Sequence, residues 1–380
     1  LEERVGPAPT GIPPGSASFW RRSRVGLRWA GAAVGALALL AWALGSGSDE
    51  TVPAYVLNGY EVVICSDRAG PLQYFRWIDP EGILERVSPD STEICVRTPG
   101  VPPEGTVYLS RVANDRVIWM EMTPGGSIRA DMTSREVASH GEPLVFRRVG
   151  NEVFAMSRPG PDNPGVELTR IRLDTGAQQV VPLQDTLWAH RVHDLEPPWL
   201  LFMAGPSNSD VDQFRVHTET GAVERLTDHP LPDVDGTLIG DSLIFARGRL
   251  GEEEDGSLEI MLKLLSTGEE IPLTQNTWND YQIALSPDAS MICWQSEEQG
   301  HYQSDLWIME LATGRSWNAT DAEGRDGACR WTPDGKAILF ESTRSGNWEV
   351  YIQGIDGGPA RNISAHAGED RFAAFIPRGE

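Results

Sequence analysis

Beyond residue 50, short runs rich in Val, Ile, Trp, Tyr and Phe are separated by clusters of Gly, Pro, Asn and Asp, and no stretch sustains a helical period. Such runs predict β-strands joined by tight turns. One register recurs among them. From Asp326 to Gly358 the chain reads DGACRWTPDGKAILFESTRSGNWEVYIQGIDGG, an acid followed by Trp331 and then by the turn Asp334-Gly335. The same register leads from Asp280 to Leu285 and Asp288-Ala289, from Asp370 to Phe375 and Arg378-Gly379, and from Glu50 to Tyr55 and Asn58-Gly59. Weaker copies start at Asp233 (turn Asp241-Ser242), Glu142 (turn Gly150-Asn151) and Asp185 (turn His193-Asp194). Successive starts lie 43 to 48 residues apart, except for an interval of 92 between Glu50 and Glu142. The long interval implies a degenerate unit near residue 96 with Glu104-Gly105 as its turn.

Each unit reads as four antiparallel strands; in the unit from Asp280 they are 281–286, 290–296, 305–311 and 316–320. A lone sheet of this kind cannot bury both faces, so a radial array of such sheets is the economical solution. The expected fold class is all-β: a seven-bladed β-propeller of four-stranded antiparallel blades. A β-sandwich does not need so long a period, and a β-helix has a shorter one. Two segments compete for one inner-strand slot, Pro53 to Leu57 and Arg371 to Ile376. Pairing RFAAFI with Glu61 to Ser66 avoids two exposed edges and is the expected closure, with residues 52–57 displaced to the rim or the linker.

Ahead of the repeats, Trp29 to Gly45 carries no charge, follows Arg21, Arg22, Arg24 and Arg28, and precedes Asp49 and Glu50. This predicts one transmembrane helix ahead of the propeller, spanning roughly 30 Å of hydrocarbon. The expected division is 1–24 as a disordered cytoplasmic segment, 25–47 as a signal-anchor helix and 48–380 as the propeller. The flanking arginines place the propeller on the periplasmic or extracellular side of the inner (plasma) membrane. A cleaved signal peptide is the competing reading, with Ala41-Trp42-Ala43 as its site. With 55 acidic against 32 basic residues, the net charge of -23 repels phosphate backbones, so no nucleic-acid contact is expected of the propeller.

The segments TPDGKAILFESTRSGNWEVYIQGIDGG, SPDASMICWQSEEQGHYQSDLWIMELATG and VICSDRAGPLQYFRWIDPEG resemble the repeats of TolB-type propellers. That family repeats an Asp, then Trp-Ser-Pro-Asp-Gly, an apolar strand, Ser-x-Arg-x-Gly and an Ile-Tyr strand. The resemblance runs over about residues 50 to 380, is strongest in the last two full units, and implies architecture, not activity. Unlike TolB itself, the chain is expected to pass from the apolar segment into the propeller without a separate α/β domain.

Repeat symmetry places Asp185, Asp233, Asp280, Asp326 and Asp370, with Glu50 and Glu142, around one mouth of the central tunnel. A carboxylate ring there could hold Ca²⁺, or a basic side chain of a partner, with Asp280, Asp326 and Asp370 as the partner-binding residues. The alternative is that each acid caps its own turn. His190 and His193 could ligate a metal, but three-residue spacing on a strand points them to opposite faces. No G-x-S-x-G, H-E-x-x-H or phosphate loop occurs, so no catalytic residue and no resident cofactor is expected. Cys65 and Cys293 lie too far apart in the ring to bridge; Cys329 could approach Cys293, with buried free thiols as the default. The sequons at Asn318 and Asn362 read as chance matches at strand ends. The function expected is a membrane-anchored scaffold that binds a protein partner or small ligand at the tunnel mouth. The alternatives are the sensor half of a one-span transcriptional regulator or receptor kinase, and, less favoured, a propeller-type polysaccharide lyase or hydrolase.

Overall fold

A computed structural model of the chain describes residues 60–70, 73–78, 83–86, 107–113, 116–122, 128–129, 143–149, 152–157, 167–172, 175, 177–181, 183, 189–207, 210–248, 257–298 and 303–377. Every helix or strand among them is a β-strand, and the strands form seven sheets, six of four strands and one of three. Sheet I joins Asp370–Pro377 to Tyr60–Ser66, Gln73–Ile78 and Ile83–Arg86. Sheet II holds Val107–Ala113, Arg116–Met122 and Ile128–Arg129, and sheet III Pro143–Val149, Glu152–Ser157, Glu167–Arg172 and Gln178–Val181. Sheet IV follows with Ala189–Glu196, Trp199–Ser207, Asp210–His217 and Val223–Arg225, and sheet V with Asp233–Ile239, Ser242–Gly248, Leu258–Leu264 and Glu270–Pro272. Sheet VI contains Asn279–Leu285, Met291–Glu297, Ser304–Glu310 and Ser316–Asn318, and sheet VII Asp326–Trp331, Ala337–Ser342, Glu349–Gly354 and Arg361–Asn362. Neighbouring strands are antiparallel throughout.

The second strand of sheet VII, AILFES, is buried at all six positions because both its faces are covered. Side chains alternate across a strand, so Ile338 and Phe340 join a core with sheet VI while Ala337 and Leu339 join one with sheet I. Other clusters bridge V to VI (Ile244, Ile260, Ile292, Trp294), IV to V (Leu201, Leu238, Phe245) and III to IV (Phe154, Leu168, Phe202, Val216). Burying each such side chain contributes about 1.5–3 kcal/mol. No sheet could keep these residues dry alone, which is the physical reason for a radial array.

The chain ends meet as the alternation predicts. Asp370–Pro377 pairs antiparallel with Tyr60–Ser66, with Glu61 opposite Ile376 and Ser66 opposite Asp370. Residues 52–57, the rival inner strand, lie outside the described residues, as do the expected cytoplasmic segment 1–24 and the expected anchor helix 25–47; among the described residues no helix is long and apolar enough to cross a membrane.

Two expectations need correction, while the expected turn Glu104-Gly105 of the degenerate unit lies outside the described residues; of that unit Val107–Ala113 and Arg116–Met122 pair with Ala113 opposite Arg116. His193-Asp194 is not a turn; both lie inside Ala189–Glu196, and the chain reverses at Pro197-Pro198, with Glu196 opposite Trp199. Finally, Cys293 and Cys329 are not free thiols. They share the core between sheets VI and VII with Cα atoms 6.6 Å apart, inside disulfide reach, and are bonded; Cys65 is also disulfide-bonded.

Candidate functional site

The acids that head the repeats open the innermost strands and are almost fully buried: Asp233, Asp280 and Asp370 are 0% exposed and Asp326 1%. Register sets their partners. Asp326 lies opposite Ser342, and two residues on Arg344 donates from Nη2 to Asp326 Oδ2 at 2.5 Å and from Nε to Ser342 Oγ at 2.9 Å. Asp370 lies opposite Ser66, and Arg68 repeats the geometry at 2.8 Å to Asp370 Oδ2 and 2.8 Å to Ser66 Oγ. In sheet V, Arg247 lies directly opposite Asp233 and grips both carboxylate oxygens at 2.7 and 3.0 Å. Each guanidinium also sits over an aromatic ring: Arg344 over Phe340, Arg68 over Phe75, Arg247 over Phe245. Burial pushes the carboxyls of Asp233, Asp326 and Asp370 up, against the pull of these arginines and of neighbouring hydroxyls.

A second set of acids opens the third strands: Asp212, Glu259, Asp305 and Glu349. Hydroxyls two residues past the last strand meet three of them, Thr227 on Asp212 at 3.2 Å, Thr274 on Glu259 at 2.8 Å and Ser364 on Glu349. The same hydroxyls, with Thr320, accept backbone N–H bonds from Gln213, Ile260, Leu306 and Val350. The sequons therefore have a structural use: Thr320 and Ser364 lock the third strand, and Asn318 and Asn362 accept the amides that follow them.

Each third-strand acid lies at the seam with the next sheet's inner Asp. Asp212 helps to raise Asp233, and Glu349 to raise Asp370, after burial and the groups that oppose it. At the seam between V and VI the sequence reads Ser296-Glu297-Glu298, with glutamate where the Ser-x-Arg motif places arginine. Asp280 is held instead by Ser296 Oγ at 2.5 Å and Asn276 Nδ2 at 2.8 Å, and Asn276 donates its backbone N–H to Glu259 at 2.7 Å. Burial pushes Glu259 up to about 7 and also raises Asp280.

Two residues after each inner acid the backbone turns left-handed: φ is 49° at Asp235, 56° at Gln282, 53° at Ala328 and 53° at Phe372. Register slips beside all four, so each is a β-bulge. The bulges tie sheet to sheet. Gln282 N–H donates to Asp235 Oδ2 at 3.0 Å, Ala328 N–H to Gln282 Oε1 at 3.1 Å, and Phe372 N–H to Glu341 Oε1 at 2.8 Å. Gly236 and Gly327 follow or precede a bulge residue because a Cβ there would collide with the side-chain carbonyls of Gln213 and Gln295.

Of the acids predicted to ring the tunnel mouth, Asp233, Asp280, Asp326 and Asp370 occupy equivalent places in successive inner strands, but each is bonded within its own network. Asp185, Glu50 and Glu142 lie outside the described residues, as does the side chain of His190. Among the described residues no three His, Cys, Asp or Glu side chains converge in a metal-holding group. Sequence reasoning missed the third-strand acids and the bulges. The paired signal was present: an inner Asp and a Ser-x-Arg two strands' length later recur together.

Residues 252–380 match the family model of the TolB beta propeller domain. The chain is 39% identical over 70 residues to the uncharacterized peptidase YuxL of Bacillus subtilis, a match covering 18% of this chain and 11% of that protein. Among solved structures, TolB from Acinetobacter baumannii superposes with a TM-score of 0.50 at 15% identity, over 84% of this chain and 83% of that one. A puromycin hydrolase superposes with a TM-score of 0.59 at 17% identity, over 82% of this chain but 52% of that one. At such identities the superpositions speak for the fold alone. Together with the repeated sheets and the closure of I by the C-terminal strand, they identify the body of this chain as a TolB-like β-propeller.

Proposed function

We propose that the chain is a single-span membrane protein whose extracytoplasmic body, a seven-bladed propeller, binds a protein partner or small ligand at the tunnel mouth and is not an enzyme. One observation carries this reading: the inner acids are bonded within the seams, while the bulge positions two residues on, Asp235, Gln282, Ala328 and Phe372, differ from one another and are each partly or fully exposed. A rigid ring that repeats its skeleton and varies its bulges is a surface for recognition. In this reading Asp280, Asp326 and Asp370 shape the mouth from within, residues 25–47 anchor the chain, and residues 1–24 stay in the cytoplasm.

The test is site-specific photocrosslinking in intact cells, with the photoreactive residue at Gln282 or, as a control, at the exposed outer turn residue Thr313. A discrete adduct at Gln282 that is absent at Thr313 supports the scaffold. Hydrolysis of aminoacyl or peptide substrates by the purified chain would overturn it. A second reading is favoured by the partial coverage of the puromycin hydrolase: there a propeller of this kind is one part of a longer chain. The present propeller would then be the sensor half of a one-span regulator or kinase, a reading decided by the open reading frame upstream of Leu1.

A further inference from the structure

The repeat itself provides a control for the seam between sheets V and VI. At the seams before sheets V, VII and I, two carboxylates approach and an arginine from the second strand lies beside them: Arg247 at Asp233, Arg344 at Asp326, Arg68 at Asp370. At Glu259 and Asp280 no described cation takes that place, and the residue in the Ser-x-Arg position is the exposed Glu298. Among the described residues every other group facing the pair is neutral: Ser257 and Thr274 on Glu259 from sheet V, Asn276 between the two acids, Ser296 on Asp280 from sheet VI, and the Trp294 indole beside Asp280. Asp280 is wholly buried, and the two acids repel each other when both are ionised.

We propose that this seam is a proton-binding joint: the Glu259–Asp280 pair carries one proton in place of the arginine that the seams before sheets V, VII and I hold, and losing it loosens the contact between sheets V and VI. The direction follows from linkage. Glu259 is raised from 4.5 to about 7, so the folded protein binds a proton that the unfolded chain has released. The stabilisation is present at acid pH and is lost as pH rises through about 7.

Thermal melts of the full chain and of Glu259→Gln and Glu298→Arg, run from about pH 5 to about pH 8.5, test the joint. The parent is expected to lose roughly 5 °C more of Tm over that range than Glu259→Gln, which keeps the acceptor without the charge. Glu298→Arg restores the missing cation and is expected to flatten the parental curve and raise Tm at the alkaline end. Parallel curves for the parent and Glu259→Gln would overturn the proposal. So would a rise in parental Tm with Ca²⁺ at alkaline pH that Glu259→Gln abolishes, since the compensating charge would then be a metal ion. Should Glu259→Gln fail to fold, an unchanged pH profile in Glu298→Arg is by itself sufficient to reject the joint.

Discussion

The seams on either side of sheet VI are built on one plan and joined very differently. Both are packed by an apolar cluster, Ile292, Trp294 and Met309 towards sheet V and Cys293, Trp331, Ile338 and Phe340 towards sheet VII. The seam with VII adds the Asp326–Arg344 pair, the Cys293–Cys329 disulfide and a backbone bridge between Ser304 and Arg325. Towards V, Asn276 joins two carboxylates, donating its backbone N–H to Glu259 and its side-chain amide to Asp280. The apolar alternation is therefore what the repeat demands at every seam, and the polar layer is where one seam can be made unlike another. A ring with one weaker, pH-sensitive seam has a defined place to open.

The sharpest way to break this comparison is at the seam where the chain ends meet. Deleting residues 368–380 removes the inner strand of sheet I, strips Ala373 and Phe375 from the core shared with sheet VII, and leaves Arg68 without Asp370. The expected loss is on the order of 5 kcal/mol or more, read from urea unfolding, because an edge is opened and two apolar faces are wetted. If the truncated chain unfolds at the parental midpoint, another strand fills the slot and the closure is wrong.

Next in size is Arg344→Met, which leaves Asp326 buried beside Asp305 without its cation. Removing one partner of a buried pair typically costs about 3–5 kcal/mol. Glu298→Met, at the equivalent place on the other side, is exposed and should change stability by no more than about 0.5 kcal/mol. Equal losses in the two variants would mean that the seams do not differ in the way their side chains indicate. The double variant Cys293→Ser, Cys329→Ser should cost about 2–4 kcal/mol by releasing the 36-residue closed loop and should leave the V–VI seam untouched. Differential scanning calorimetry on the oxidised parent and the oxidised double variant isolates this bond from the second disulfide, that of Cys65.

Much of this architecture is legible from the sequence, because its cause is local. Alternation in strands such as SMICWQS and AILFES, turn residues at Asp288-Ala289 and Asp334-Gly335, and a recurring register suffice to place sheets V to VII and the ring closure. Sheet II is the least legible, because TPGVPP at 98–103 breaks the apolar pattern ahead of the strands that pair Ala113 with Arg116. The acids are legible as a repeated feature, but the side chains that bond them are not. A repeated Asp looks the same whether it faces a tunnel or an arginine, and only the strand pairing, which puts Asp326 opposite Ser342 and within reach of Arg344, separates the two. The bulges left no hydrophobic signal at all, since a left-handed residue at Ala328 or Phe372 changes the pairing without changing the pattern.

The smallest expected effect belongs to Gln282, which touches both seams at once. Its backbone N–H donates to Asp235 of sheet V, and its side-chain carbonyl accepts from Ala328 N–H of sheet VII. Gln282→Ala removes the second bond and keeps the first. Gln282 is exposed, so water can replace the lost acceptor, and the cost should be about 1 kcal/mol or less. Gln282→Gly removes the same bond but suits the φ of 56° better, so part of that cost should be recovered. Amide hydrogen exchange separates the two seams residue by residue. In Gln282→Ala the Ala328 amide should exchange up to about fivefold faster while the Gln282 backbone amide keeps its protection, and Asp235→Ala should reverse the pattern. If either variant deprotects both amides together, the bulges act as one coupled ring, and the two seams of sheet VI are not independent joints.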